Sequence, residues 1–70
     1  MSIQEIIDEF KNLRINSGLT QTQVAKLMNT CQAHISNFEA GRYNPGLYFL
    51  YRYAKACNKT MHITFEDRKE

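Results

Sequence analysis

The sequence predicts a mainly α-helical domain of four to five helices, followed by a C-terminal β-strand that pairs across a dimer. Apolar residues recur at helical spacing in four segments of the first 58 residues. Two of these segments follow one another across a short turn between residues 21 and 41. Residues 60–66 instead alternate polar and apolar side chains, which is the period of a strand. A chain of 70 residues makes one domain.

The first helix is predicted to run from about residue 3 to residue 16. Ser2 and Glu5 have the spacing of a capping box. Apolar residues then follow along one face: Ile3, Ile6, Ile7, Phe10 and Leu13. Gly18 is expected to end the helix, because glycine readily adopts the left-handed backbone conformation.

The second helix is predicted to begin after Thr20, which forms another capping box with Gln23. It ends near Met28, and Asn29 suits a turn position with positive φ. The third helix then runs from about residue 31 or 32 to residue 40. Thr30 is a better N-cap for it than Cys31 by chemistry. The two helices are expected to bury Val24, Ala25, Met28, Ile35 and Phe38.

The fourth helix is predicted to start after the turn at residues 42–46. One of its faces carries Leu47, Leu50, Ala54 and Cys57, and the other faces carry Tyr48, Phe49, Tyr51 and Tyr53. Some of these rings are expected in the core. The others are expected at a subunit interface, where aromatic residues are enriched.

Residues 59–66 are predicted to form a dimerisation strand, with Met61, Ile63 and Phe65 on one side. A lone strand cannot satisfy its backbone polar groups, and no second strand is evident in the sequence. We therefore expect pairing with the same strand of a second copy, antiparallel about a two-fold axis. The tail at residues 67–70 is expected to be frayed.

The outward face of the third helix is small and polar, and the surrounding chain is basic. Residues 10–65 contain seven basic residues and one acidic residue, Glu39. Such a basic centre is typical of a protein that binds a polyanion. The outward face suits contacts with DNA base edges in the major groove: Gln32, Ala33, Ser36 and Asn37. Residues 1–58 are thus interpreted as a helix-turn-helix DNA-binding domain.

Residues that flank this face are expected to contact DNA phosphates, which fix the register of a protein on the duplex. Gln21 lies in the first turn of the second helix, where free N–H groups suit a phosphate. The predicted set is Thr20, Gln21, Arg42, Tyr43 and Asn44.

Residues 21–41 closely resemble the Xre/Cro-type helix-turn-helix family of phage-repressor-like domains, and the match covers about residues 6–58. The matching motifs are Gly18-Leu19-Thr20-Gln21, Ala25, Ile35-Ser36, Phe38 and Glu39-Ala40-Gly41. Asn29 and Cys31 depart from the usual turn glycine and Ser/Thr cap. The resemblance implies a repressor that binds a palindromic operator as a homodimer, with the third helix in the major groove. It also implies a bidentate ion pair between Arg14 and Glu39, for which two unrelated surface charges are the alternative.

Three alternatives remain open. The sequence is also similar to HipB-type antitoxins, which implies a toxin protein as a second partner. A module that binds protein through its aromatic fourth helix, without DNA, is another alternative. Four side chains of metal-binding type invite a zinc site, but their expected positions do not fit one: Cys31, His34, Cys57 and His62. We expect no catalysis, cofactor, metal or membrane span, and a reduced cytoplasmic location.

Overall fold

The chain forms four α-helices around one core in a computed structural model that describes residues 2–68. The helices are α1 (Ile3–Asn16), α2 (Gln21–Leu27), α3 (Gln32–Glu39) and α4 (Leu47–Ala56). The mainly helical class and the helix order are confirmed, with four helices among the described residues. None of these helices is long and apolar enough to cross a membrane.

The starts of α1 and α2 are fixed by capping boxes, as their sequences predict. The Ser2 hydroxyl accepts a hydrogen bond from the Glu5 N–H, and the Glu5 carboxylate accepts one from the Ser2 N–H. Thr20 and Gln23 make the same reciprocal pair. The N-cap of α3 is Cys31, and it makes no side-chain capping bond.

All four helices end in the same backbone arrangement, a Schellman motif. In each, one residue with positive φ follows the last turn, and two N–H groups beyond that turn donate back to carbonyls inside the helix. The positive-φ residues are Gly18, Asn29, Gly41 and Asn58. The prediction for Asn29 is confirmed by its φ of 57°.

The core contains the five apolar side chains expected from α2 and α3, all of them buried. Tyr53 is also completely buried, whereas Leu47, which was expected on the inner face of α4, is 64% exposed. The inner face of α4 is therefore rotated toward Tyr53 relative to the predicted face. Tyr48 and Tyr51 are the α4 rings that stay outside the core, since they are 71% and 46% exposed. The expectation of a subunit interface therefore concerns these two rings.

Residues 59–66, predicted as a strand, have no regular secondary structure in the single chain. Backbone pairing defines a strand, and no described segment of residues 2–68 lies alongside this one as a second strand. The alternating sequence therefore does not give a strand within one subunit. The frayed tail expected over residues 67–70 falls partly on residues 69 and 70, which lie outside the described residues.

Candidate nucleic-acid interface

The polar face of α3 points away from the core. Ile35 and Phe38 on the opposite side of this helix are completely buried. Gln32 and Ala33 are exposed, and Ser36 and Asn37 are half-buried. The four residues predicted to read DNA bases thus lie together on the accessible side of a helix held by its two buried anchors.

A buried ion pair lies beneath this face. Arg14 Nε donates to Glu39 Oε2 at 2.7 Å, and Arg14 Nη2 donates to Glu39 Oε1 at 2.9 Å. A third guanidinium nitrogen, Nη1, donates to the Leu19 carbonyl at 2.9 Å. This bidentate pair, expected from the sequence, joins α1 to the end of α3. The carboxylate raises the pKa of Arg14 above its ordinary value, although burial opposes this change.

Two further donors converge on the Glu39 carboxylate. The buried Tyr53 hydroxyl donates to Oε2 at 2.6 Å, and Gln21 Nε2 donates to Oε1 at 3.0 Å. Burial by itself would raise the pKa of Glu39, but hydrogen bonds from Arg14, Tyr53 and Gln21 outweigh it and lower the pKa. Glu39 is therefore an anion at neutral pH, and it contacts a residue from each of the other three helices.

The ion pair is linked to the outward face through Gln21. Gln32 Nε2 donates to Gln21 Oε1 at 2.6 Å, and Gln21 in turn donates to Glu39. A chain of hydrogen bonds thus runs from the buried carboxylate to the first residue of α3. Because its rotamer is held by Gln21, Gln32 is positioned before any ligand arrives.

Arg42 lies beside the other end of the same face. Its Nη1 donates to Asn37 Oδ1 at 3.0 Å, and its backbone N–H donates to the Asn37 carbonyl in the Schellman motif. Arg42 and Asn44 are exposed, as is Thr20 at the start of α2. Arg42, Thr20 and the half-buried Gln21 therefore lie at the edge of the α3 face. Asn44 instead lines a groove beside Ile3 and Ile7 of α1.

Tyr43, the fifth predicted phosphate contact, packs into an aromatic cluster instead of facing outward. Its ring centroid lies 5.2 Å from that of His34 and 5.9 Å from that of Phe49. Its hydroxyl is buried and makes no hydrogen bond with any described residue, and this burial raises its pKa. His34, which also bonds Thr30 at 2.9 Å, belongs to the same cluster. The structure thus gives Tyr43 and His34 packing contacts.

The four residues considered for zinc are not brought together. Cys31 is exposed at the start of α3, whereas Cys57 is buried after α4, where burial raises its thiol pKa. Within residues 2–68, no three His, Cys, Asp or Glu side chains are grouped to hold a metal ion. His34 contacts Thr30 in place of either cysteine.

Sequence reasoning missed two contributors to this site: the Tyr53 hydroxyl and the Gln21–Gln32 hydrogen bond. The sequence does give one indication that a donor such as the Tyr53 hydroxyl is needed. A buried carboxylate requires several donors, and Arg14 supplies only two of them. No periodicity shows which of the tyrosines in α4 supplies another. The Gln21–Gln32 hydrogen bond joins side chains eleven positions apart, so no local pattern in the sequence predicts it.

Comparison with known proteins gives one match. A family model described as helix-turn-helix matches residues 10–63, which is more than half of the chain. No curated protein and no solved structure matches this chain.

Proposed function

Because the chain belongs to the Xre/Cro-type helix-turn-helix family, whose members are DNA-binding transcription regulators, we propose that it is a repressor that binds a palindromic operator as a homodimer. In this proposal α3 enters the major groove. The supporting observation is the hydrogen-bonded connection from Glu39 through Gln21 to Gln32, which fixes a polar side chain on the accessible face of α3.

The four side chains on that face have complementary roles in base reading. The Gln32 and Asn37 amides each present a donor and an acceptor, the pattern that adenine N6 and N7 require. The Ala33 methyl group can contact a thymine methyl, and the Ser36 hydroxyl can serve several bases. The Arg42 contact would orient Asn37 as the Gln21 contact orients Gln32.

The residues around the face would bind phosphates. The N–H of Gln21 lies in the open first turn of α2, and the Thr20 hydroxyl lies next to it. Arg42 and Asn44 would contact the backbone at the other end of α3. We assign Tyr43 to packing because its hydroxyl is buried. Affinity should fall steeply as the salt concentration rises.

Dimerisation is proposed to occur through residues 59–66 and α4. A repressor of this kind reads two half-sites about one helical turn apart, so two copies must be joined in a fixed orientation. The exposed apolar side chains of the tail and the exposed rings of α4 are the surfaces available for this contact.

The base-reading role of α3 is tested with two variants on a selected operator and its single-base-pair substitutions. Gln32→Ala should cost about 1–3 kcal/mol and relax specificity at one base pair. Arg42→Ala should weaken binding to all sequences and reduce the salt slope by about 1, with any change in specificity confined to the base pair that Asn37 reads. Lys11→Ala, which removes the same charge from an exposed position on α1, is the matched control. An equal loss on all sequences for Gln32→Ala would contradict base reading by Gln32.

An antitoxin that also holds a toxin protein is the second candidate. The observation in its favour is an exposed aromatic surface on α4, where the Tyr48 and Tyr51 rings stack at 6.3 Å. The Arg52 guanidinium lies 5.6 Å from the centre of the Tyr48 ring. Coexpression with the product of the adjacent gene tests this role. Tyr48→Ala should abolish that complex; retention of the complex would contradict it.

A further inference from the structure

Residues 60–66 have an unpaired backbone. Among residues 2–68, none of their backbone groups makes a hydrogen bond to another backbone group. The last backbone bond of α4 is donated by Lys59 to the Ala54 carbonyl at 2.9 Å. The backbone is therefore available for pairing from Thr60 onward. Unsatisfied N–H and C=O groups in a row favour pairing with another strand.

The apolar side of this segment is only partly covered. Met61 is half-buried, whereas Ile63 is 57% exposed and Phe65 is 93% exposed. Met61 and His62 lie over a groove on α1 whose apolar lining is formed by Ile6, Phe10 and Leu13. Since alternate residues of an extended chain point to the same side, Ile63 and Phe65 share the side of the tail that carries Met61.

On the basis of the proposed homodimer, we propose a specific register for its two tails. They pair antiparallel with the two-fold axis at Ile63. Met61 then lies opposite the partner's Phe65, and Lys59 lies opposite the partner's Asp67. All of these odd-numbered residues share the face that carries Met61, because opposite residues in an antiparallel pair point to the same side.

Side-chain complementarity selects this register over its neighbours. With the axis at Ile63, apolar residues face apolar residues, and two Lys59–Asp67 pairs of opposite charge flank them. With the axis at His62, Lys59 would face Phe65 and the two histidines would face each other. With the axis at Thr64, Met61 would face Asp67. Only the Ile63 register matches both the apolar and the charged residues.

The register also identifies what covers the α1 groove. Directly opposite residues in an antiparallel pair have Cα atoms about 4.5–5.5 Å apart. The partner's Phe65 is thus adjacent to Met61 and on the same face. It covers the groove that Met61 and His62 cover only in part, and its own exposed ring becomes buried. Each subunit completes the apolar surface of the other.

Single-cysteine cross-linking of the full chain tests the register directly. Cys31→Ser removes the exposed native thiol, and Cys57 stays because it is buried. Ile63→Cys should form a dimer disulfide by itself, since that bond spans Cα separations of about 4.4–6.8 Å. Met61→Cys and Phe65→Cys should not do so separately, because like positions are offset by about 14 Å. An equimolar mixture of these two variants should cross-link.

Two further variants test the side-chain contacts. Phe65→Ala should raise the dimer dissociation constant at least about a hundredfold, because two phenylalanines per dimer lose their burial. Lys59→Asp should weaken the dimer severalfold, and addition of Asp67→Lys should restore it. A dissociation constant unchanged by Phe65→Ala would refute the covering role of Phe65.

The outcomes separate this inference from the proposed function. Cross-linking that is strongest for His62→Cys or Thr64→Cys would overturn the register but leave a strand-paired dimer. A dimer in sedimentation with no cross-link at any position from 61 to 65 would overturn strand pairing itself. A monomer would overturn the proposed dimer and this register together. Base reading by α3 is judged independently, by the Gln32→Ala measurement.

Discussion

Replacement of Glu39 by alanine is expected to destabilise the domain strongly. The change removes the acceptor for three donors: the Arg14 guanidinium, the Tyr53 hydroxyl and the Gln21 amide. Only 10% of the Arg14 side chain is exposed, and Tyr53 is completely buried. Water therefore cannot readily replace the lost carboxylate, and a charged group is left buried without its partner.

The expected loss is large relative to the whole stability of the domain. Removal of one partner from a buried ion pair costs about 3–5 kcal/mol. A domain of 70 residues has a free energy of unfolding of roughly 4–10 kcal/mol. The Glu39→Ala variant should thus lose from about a third of its stability to all of it.

Urea unfolding followed by far-ultraviolet circular dichroism measures this loss. The protein concentration must be the same for all variants, because dimerisation would shift the midpoint. Arg14→Met added to Glu39→Ala is the matched control. It removes the stranded guanidinium, so the double variant should be more stable than Glu39→Ala alone. A loss below about 1 kcal/mol, or a double variant less stable than the single one, would refute the reasoning.

Three other predictions follow from the caps and from Glu39. Because the pKa of Glu39 is lowered in the folded state, its contribution should be complete above about pH 4.5 and lost as the pH falls further; Glu39→Gln should remove this part of the melting-temperature profile. Cys31→Ser should stabilise α3 by about 0.5–1 kcal/mol through a side-chain cap, whereas Cys31→Ala should not. Asn29→Ala should cost about 1 kcal/mol in urea unfolding because its φ is positive, and Asn29→Gly should be neutral or stabilising; equal effects of alanine and glycine would contradict this.

The helix ends were predictable because caps are local. Ser2, Thr20, Gly18 and Asn29 each act on backbone groups within a few residues, so their chemistry can be read directly from the sequence. Thr30 shows the limit of this reasoning. It has the better capping chemistry, yet its hydroxyl is bonded to His34, and Cys31 occupies the cap position.

The arrangement around Glu39 was predictable only in part. The pairing of Arg14 with Glu39 follows from a family resemblance and from the isolation of one acid in a basic chain. The burial of Tyr53 does not follow from helical spacing, which assigns Ala54 to the inner face and its neighbour Tyr53 to another face. In the structure both side chains are buried. Helical periodicity gives the direction of a face to within about one residue, and the long tyrosine side chain reaches beyond it to α3.

The alternating tail illustrates a different limit. Alternation gives the period of an extended segment, but the partner that satisfies its backbone need not belong to the same chain. In residues 2–68 the tail remains without regular structure, and Met61 and His62 are its residues that line the groove on α1. The segment that pairs with the backbone of this tail therefore cannot be identified from the sequence of one subunit alone.

The shared carboxylate of Glu39 also determines how the domain can open. With seven and eight residues, α2 and α3 are too short to persist alone in water. Since one carboxylate joins both of them to α1 and α4, neither can detach without breaking the same set of hydrogen bonds. Amide protons in α2 and α3 should therefore exchange with solvent mainly through complete unfolding, at rates like those of the α1 interior. The surface helix α3, which is proposed to enter the major groove, would then be as protected from exchange as the centre of the protein.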